Sequence, residues 1–147
     1  MRETTRLDIR LRIDFGSVSS LGPGKVALLE HIERAGSLSQ AARELGLSYR
    51  RAWQLLDDLN HSFRDPVASA SVGGVGGGGV QLTAFAKELI AAYRRVESAA
   101  LNETRTQFAS LVKAIEAERS LGSRLRRLLT RRAPKARKAP AARSRAH

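Results

Sequence analysis

Six of the seven residues at positions 73–79 are glycine, and glycine-rich loops can cradle phosphate groups through their backbone amides. Gly74, Gly76 and Gly79 have the spacing of the dinucleotide-binding fingerprint, in which a helix opens directly on the glycines. Here Val80-Gln81-Leu82 follows instead, and this alternating run is typical of a strand. The other common phosphate loop ends in Gly-Lys-Ser/Thr, which this segment does not contain. We therefore interpret the glycines as the tip of a hairpin and not as a nucleotide site.

A second group of side chains, within LSQAARELGLSYRRAWQLL (residues 38–56), has the chemistry to bind DNA. Arginine bonds guanine through two N–H groups, glutamine bonds adenine, and hydroxyl groups hold phosphates. We assume that residues 48–63 form a helix, which turns by about 100° per residue, and that Ala52 faces the core. The first turns of this helix then present such groups to solvent. The predicted DNA-reading residues of this helix are Ser48, Tyr49, Arg50, Arg51 and Gln54. Asp57 and Asp58 come one turn later and repel phosphate, so only the first two turns are expected to enter the major groove.

Each of these residues also has a less specific interpretation. An ordinary solvated face is the alternative for Arg50 and Arg51. Trp53 is expected to pack on the helix flank, with a base contact as the alternative. His61 is a lone exposed histidine near a helix end, and neither a metal nor another cofactor is predicted.

Two further helices are predicted before this one. The pattern that begins at Pro23 has helical spacing, and Gly36 ends it. Ser37-x-x-Gln40 is a capping box, which predicts that a second, short helix starts there. Ser39 and Gln40, in its first turn, are also assigned to DNA contact.

The turn between the second and third helices has the spacing of a helix-turn-helix. Gly46 supplies the turn, and Ala42 is the small residue that lets the next helix cross closely. The positions expected to be buried at the crossing are all apolar: Ala41, Leu45, Leu47, Ala52 and Leu55.

The fold predicted from these patterns is mainly α with a small β component: a winged helix-turn-helix with a long C-terminal dimerisation helix. Residues 1–15 are predicted to hold a half-buried strand, because residues 7–15 alternate strictly between apolar and charged. Residues 16–83 form the winged helix-turn-helix, whose wing is the hairpin of strands 67–72 and 80–82.

A long helix is predicted over residues 84–118, starting at the cap Thr83. It is longer than one small core can cover, so much of it is expected to pack on a second copy. The predicted dimerisation residues are Phe85, Leu89, Tyr93, Val96, Phe108 and Leu111.

The net charge of +12 comes almost entirely from residues 119–147, which carry eleven basic and no acidic side chains. The other 118 residues carry 15 basic and 14 acidic side chains, a net charge of +1. We expect this basic tail to be disordered and to bind polyanions. The alternative is a solvated tail that binds nothing specific.

The composition excludes several classes of protein. The chain has 147 residues and no cysteine, so disulfides and thiol chemistry are excluded. No secretory signal or membrane-length apolar run is found, so a cytoplasmic protein without membrane partners is expected. The acids occupy polar helix faces and no nucleophile elbow is present, so no enzyme is predicted.

The segments GPGKVALLEHIERAGSLSQAARELGLSYRRAWQLLDDLN and GGVGGGGVQLTAFAKELIAAYR resemble the N-terminal DNA-binding domain of the ModE family of molybdate-responsive regulators. Related winged helices occur in LysR-type regulators. The resemblance covers about residues 16–97, and the glycine run before a Leu-Thr helix makes it specific. It implies a homodimer that reads a palindromic operator with the helix at 48–63.

The resemblance also makes residues 73–79 the wing, with Gly74, Gly76, Gly77 and Gly78 against the DNA backbone. Family members continue into a molybdate-binding region of small β-barrel modules. No segment after residue 100 has the sequence pattern of a strand, as such β-barrel modules would require. Direct molybdate sensing by this chain is therefore not expected.

The sequence therefore predicts a dimeric, sequence-specific transcriptional regulator whose partner is double-stranded DNA. Two alternatives stay open: a weakly specific architectural DNA-binding protein in which the basic tail dominates, and a protein-interaction module.

Overall fold

The computed structural model describes residues 5–71 and 79–131, and this part of the chain is mainly helical, with two small antiparallel sheets. In chain order the elements are β1 (Ile13–Phe15), β2 (Ser19–Leu21), α1 (Pro23–Ala35), α2 (Leu38–Glu44), α3 (Tyr49–Ser62), β3 (Ala68–Ser71), β4 (Gly79–Leu82) and α4 (Ala84–Arg131). The predicted fold class is confirmed: three short helices and a hairpin are followed by a long C-terminal helix, consistent with a winged helix.

The chain divides into two compact units. The first is Leu7–Thr106, which holds all the elements up to the first turns of α4. The second comprises Met1–Arg6 and Gln107–His147. Within the second unit, the backbone amide of Thr5 donates to Oε1 of Glu116 at 3.0 Å.

The N-terminal strand is shorter than predicted. Residues 7–13 do alternate between half-buried apolar and exposed charged side chains, but only the last three residues before Gly16 pair, as β1. Its partner is β2, and the ladder pairs Ile13 with Leu21 and Phe15 with Ser19. Because α1 begins two residues after β2 ends, the ladder has no partner strand to extend along.

Local capping places the helices close to their predicted bounds. The Oγ atom of Ser37 accepts from the amide of Gln40 at 3.3 Å, and α2 follows. The Oγ atom of Ser48 accepts from the amide of Arg51 at 3.1 Å, and α3 follows. Gly36 ends α1 in the left-handed region, with φ of 63°.

The core of the first unit lies between α1, α2, α3 and the start of α4. Its largest fully buried side chains are Tyr93, Leu21, Leu28, Leu29, Ile32 and Leu59. Phe63 lies at one edge, with its ring centroid 5.3 Å from that of Phe15 and 5.3 Å from that of Phe85. These edge-to-face contacts tie β1, the end of α3 and the start of α4 together.

The hairpin of β3 and β4 lies where strands 67–72 and 80–82 were predicted, and it is fixed at its base. Asn60 Oδ1 accepts from the amides of Val67 and Ala68 at 2.9 and 3.1 Å. The amide of Val80 donates to the carbonyl of Gly36 at 3.1 Å, which joins β4 to the end of α1. The predicted wing contacts Gly74, Gly76, Gly77 and Gly78 lie outside the described residues.

Helix α4 extends to Arg131, thirteen residues beyond the predicted end at 118. The helix was predicted to end at residue 118 because the run of basic residues that follows was expected to be disordered. However, like-charge pairs on a helix cost only about 0.2–0.5 kcal/mol each, and leucine and arginine are both good helix formers. The rest of the basic tail, residues 132–147, lies outside the described residues.

Candidate nucleic-acid interface

The turn between α2 and α3 is built as the sequence predicted. Gly46 has φ of 66°, a conformation that favours glycine, and the amide of Leu47 donates to the carbonyl of Ala42 at 2.9 Å. Ala42 is 2 % exposed and Ala52 is fully buried, so the two helices meet through small side chains. Ala41 is also fully buried, whereas Leu45, Leu47 and Leu55 are half-buried at the edge of the core.

Helix α3 turns its apolar face inward and leaves its N-terminal turns open. Ala52, Leu56 and Leu59 are buried in the core. The five residues predicted to read DNA are all exposed: Ser48, Tyr49, Arg50, Arg51 and Gln54. Among the described residues, neither arginine has an ion-pair partner, so both guanidinium groups keep their donors for a ligand.

Ser48 has two roles at the start of α3. Its oxygen accepts the cap bond from the Arg51 amide, and its hydroxyl proton can still donate to a phosphate. Amide groups in the first turn of a helix have no partner within the helix, and the helix dipole favours an anion there. The start of α3 is therefore suited to a DNA phosphate.

Ser39 and Gln40 lie in the first turn of α2, as predicted. Ser39 is exposed. Gln40 is half-buried, and its side-chain amide donates to Oε1 of Glu44 at 3.1 Å, so this glutamine is held by its own helix. The capping box is consequently formed from one side only, because the Gln40 side chain does not return to Ser37.

Trp53 differs from the expectation of a packed flank residue. Its side chain is 51 % exposed, and Tyr49, one turn earlier, is 57 % exposed. The ring pairs formed among the described residues involve Phe15, Phe63 and Phe85 but neither of these two rings. About half of each aromatic side chain is therefore open to solvent.

A fork of ion pairs orients α4 against α1 within the first unit. Nε and Nη2 of Arg94 donate to the two carboxylate oxygens of Glu30 at 2.8 and 2.7 Å, and Nη1 donates to Glu97 at 2.7 Å. The Arg94 guanidinium holds the pKa of the Glu30 carboxyl below its ordinary value of 4.5, against the opposing effect of burial. Lys87 lies 3.5 Å from Glu33 and adds a second pair between the helices.

The six residues predicted for dimerisation divide into two groups. Three pack on their own chain: Phe85 and Leu89 are half-buried against the core, and Tyr93 is 1 % exposed. The hydroxyl of Tyr93 donates to the carbonyl of Leu11 at 2.8 Å, and burial raises the pKa of this phenol. Tyr93 is thus a core residue and has no surface for a second copy. The three that stay exposed are Val96, Phe108 and Leu111.

The residues at 5–71 and 79–131 contain no group of three or more His, Asp or Glu side chains that could hold a metal ion. Within the same ranges, no helix has both the length and the apolar character required to cross a membrane.

Comparison with known proteins relates this chain to ModE-type proteins. No protein-family model matches it. It is 38 % identical over 93 residues to the molybdenum transport protein ModE of Azotobacter vinelandii, covering 63 % of this chain and 34 % of the relative. It is 47 % identical over 78 residues to the molybdenum-pterin-binding protein MopB of Rhodobacter capsulatus, covering 53 % of this chain and 29 % of the relative. It is 38 % identical over 71 residues to the DNA-binding transcriptional dual regulator ModE of Escherichia coli K12, covering 48 % and 27 %.

The similarity involves about half of the chain, and the chain spans about a third of the length of these curated relatives. Several relatives are named transcriptional regulators, which agrees with the class of protein that α2, α3 and the hairpin indicate.

Proposed function

We propose that this protein is a sequence-specific DNA-binding transcriptional regulator that reads its operator with the first two turns of α3. The observation that carries the proposal is the open face of α3. Arg50, Arg51 and Gln54 are exposed on a helix whose opposite face is buried and whose N-terminus is capped by Ser48. A rigid helix that presents unpaired arginines can bond guanine edges in the major groove.

The same proposal includes a homodimer and a wing. Exposed apolar residues are available to a second copy in each unit: Val96 in the first, and Phe108 and Leu111 in the second. Two α3 helices related by a two-fold axis read inverted half-sites about 34–36 Å apart. The proposed wing is residues 73–79, between β3 and β4, and the proposal assigns it to contact with the DNA backbone.

Selection of binding sites from random double-stranded DNA tests the proposal. We expect a single inverted-repeat consensus. Arg50→Ala should weaken binding to it by about 1–3 kcal/mol and relax one base position per half-site. Arg10→Ala is the matched control, because it also removes an exposed positive charge, from a different part of the chain. Unchanged base preference in the Arg50 variant contradicts the assignment of α3.

A second candidate, a weakly specific architectural DNA-binding protein, is favoured by the distribution of charge. Eleven of the 26 basic residues fall in residues 119–147, where no acid balances them. Contacts of this kind bind phosphates without regard to sequence and weaken steeply with salt. Genome-wide footprinting separates the two functions, since a regulator occupies a few sharp sites and an architectural protein covers broad regions.

Direct sensing of molybdate by this chain is not part of the proposal, because the region after residue 84 is helical as far as Arg131. Several relatives have names that refer to molybdenum, so the selection is repeated with molybdate present. An altered affinity or consensus in that arm would assign an effector role to the oxyanion.

A further inference from the structure

Tyr49 and Trp53 form an exposed aromatic strip, defined by these two residues, beside the polar DNA-reading groups of α3. The two side chains are 57 % and 51 % exposed and lie one helical turn apart. On an ideal helix Trp53 lies about 60° from Arg50 around the axis and about 40° from Tyr49. The strip therefore borders the arginine and belongs to the same open surface.

A surface that enters the major groove meets mostly polar base edges. The apolar group that B-DNA displays there is the C5-methyl group of thymine, beside the O4 acceptor. An indole or phenol ring cannot bond guanine in two places, as arginine does, but its face can cover a methyl group. Half-exposed rings beside Arg50 thus fit a pyrimidine methyl group next to the base that the arginine reads.

We propose that the aromatic strip contacts thymine C5-methyl groups, so that Tyr49 and Trp53 determine specificity for thymine at fixed positions next to the base bonded by Arg50. The inference rests on the proposed function and deepens it. A protein partner docked on the strip is the competing occupant, and the tests below separate the two.

The first test uses the natural fluorescence of the protein, because Trp53 is the only tryptophan in the chain. Quenching by acrylamide, a neutral molecule, reports how much of the indole surface is accessible. We expect the quenching constant to fall at least twofold when the selected DNA site is bound. An unchanged constant at saturating DNA would overturn the proposal, since an indole covered by thymine cannot remain accessible.

The second test removes the methyl groups from the DNA. Each thymine of the selected site is replaced singly by deoxyuridine, and binding is followed by the anisotropy of labelled DNA. At the contacted positions we expect wild-type binding to weaken about three- to fivefold, the value for one buried methyl group. Trp53→Ala or Tyr49→Ala should bind the thymine site more weakly and lose its sensitivity to uracil at one of those positions.

Two controls keep the result specific. Trp53→Phe retains an apolar ring and should keep part of the uracil effect, whereas Val18→Ala alters an exposed apolar residue outside α3 and should keep all of it. If no position responds to uracil while the DNA still binds, the aromatic proposal fails and the proposed function stands. If the wild-type protein binds no DNA at low salt, both fail.

Discussion

Gly79→Ala is expected to destabilise the fold through one close approach. A Cβ atom added at this position would lie 2.8 Å from the carbonyl oxygen of Gly36 and 2.6 Å from Oγ of Ser71. The serine hydroxyl can rotate away, but the Gly36 oxygen belongs to the backbone at the end of α1. Ordinary contact begins at 3.4 Å, so the hairpin must retreat from α1 by 3.4 − 2.8 = 0.6 Å.

The magnitude follows from two contributions. Overpacking of this kind costs about 1–3 kcal/mol. The same retreat stretches the 3.1 Å bond from the Val80 amide to Gly36, and a bond of this type contributes about 0.5–1.5 kcal/mol. Together we expect a loss of about 1.5–4.5 kcal/mol in the free energy of unfolding.

Urea denaturation followed by circular dichroism measures this loss. Gly24→Ala is the matched control, because nothing lies within 4 Å of its added Cβ atom and alanine is the better residue in a helix. The double variant Ser71→Ala/Gly79→Ala removes the hydroxyl and isolates the clash with the backbone. If Gly79→Ala and Gly24→Ala have the same unfolding midpoint, the close approach of the hairpin to α1 is refuted.

Two further predictions concern the ion pairs and the tail. Arg94→Gln should lower the free energy of unfolding by about 1 kcal/mol at pH 7, a modest loss because the Arg94 side chain is 41 % exposed. Since the folded pKa of Glu30 lies below 4.5, the pair stabilises the protein above that pH and is lost as the pH falls through the lowered value. Between pH 7 and pH 3, the free energy of unfolding measured by urea titration should therefore fall more for the wild type than for Arg94→Gln. Arg95→Gln is the control. Equal losses in the wild type and Arg94→Gln would contradict the stabilising role of the ion pair between Arg94 and Glu30. Deletion of residues 124–147 should reduce the salt dependence of DNA binding and keep the consensus, so a lost consensus would count against an accessory role for the tail.

The sequence predicted well what is decided by near neighbours in the chain. Ser37, Ser48 and Thr83 cap the helices that follow them, because each side chain bonds an amide three residues later. Gly36 and Gly46 adopt the left-handed conformation that their positions required. The face of α3 that stays exposed also followed from the 3.6-residue period, since its opposite face holds the apolar residues.

Features that depend on distant partners could not be predicted. Periodicity showed that Tyr93 is on an apolar face, but its partner is Leu11 of the same chain and not a second copy. The start of β1 at Ile13 is set by where its partner strand stops at Leu21, which alternation does not reveal. The need for glycine at Gly79 comes from the carbonyl of Gly36, 43 positions earlier, and not from the glycine run.

The bond between Leu11 and Tyr93 has a consequence for folding during synthesis. The two residues are 82 positions apart, and a ribosome adds about 5–20 residues per second. Leu11 and Ile13, which pack at the edge of the core, are therefore made about 4–16 s before the tyrosine that holds this segment in place. The first part of the domain to be synthesised therefore gains its bond to α4 only after the chain up to Tyr93 has been made.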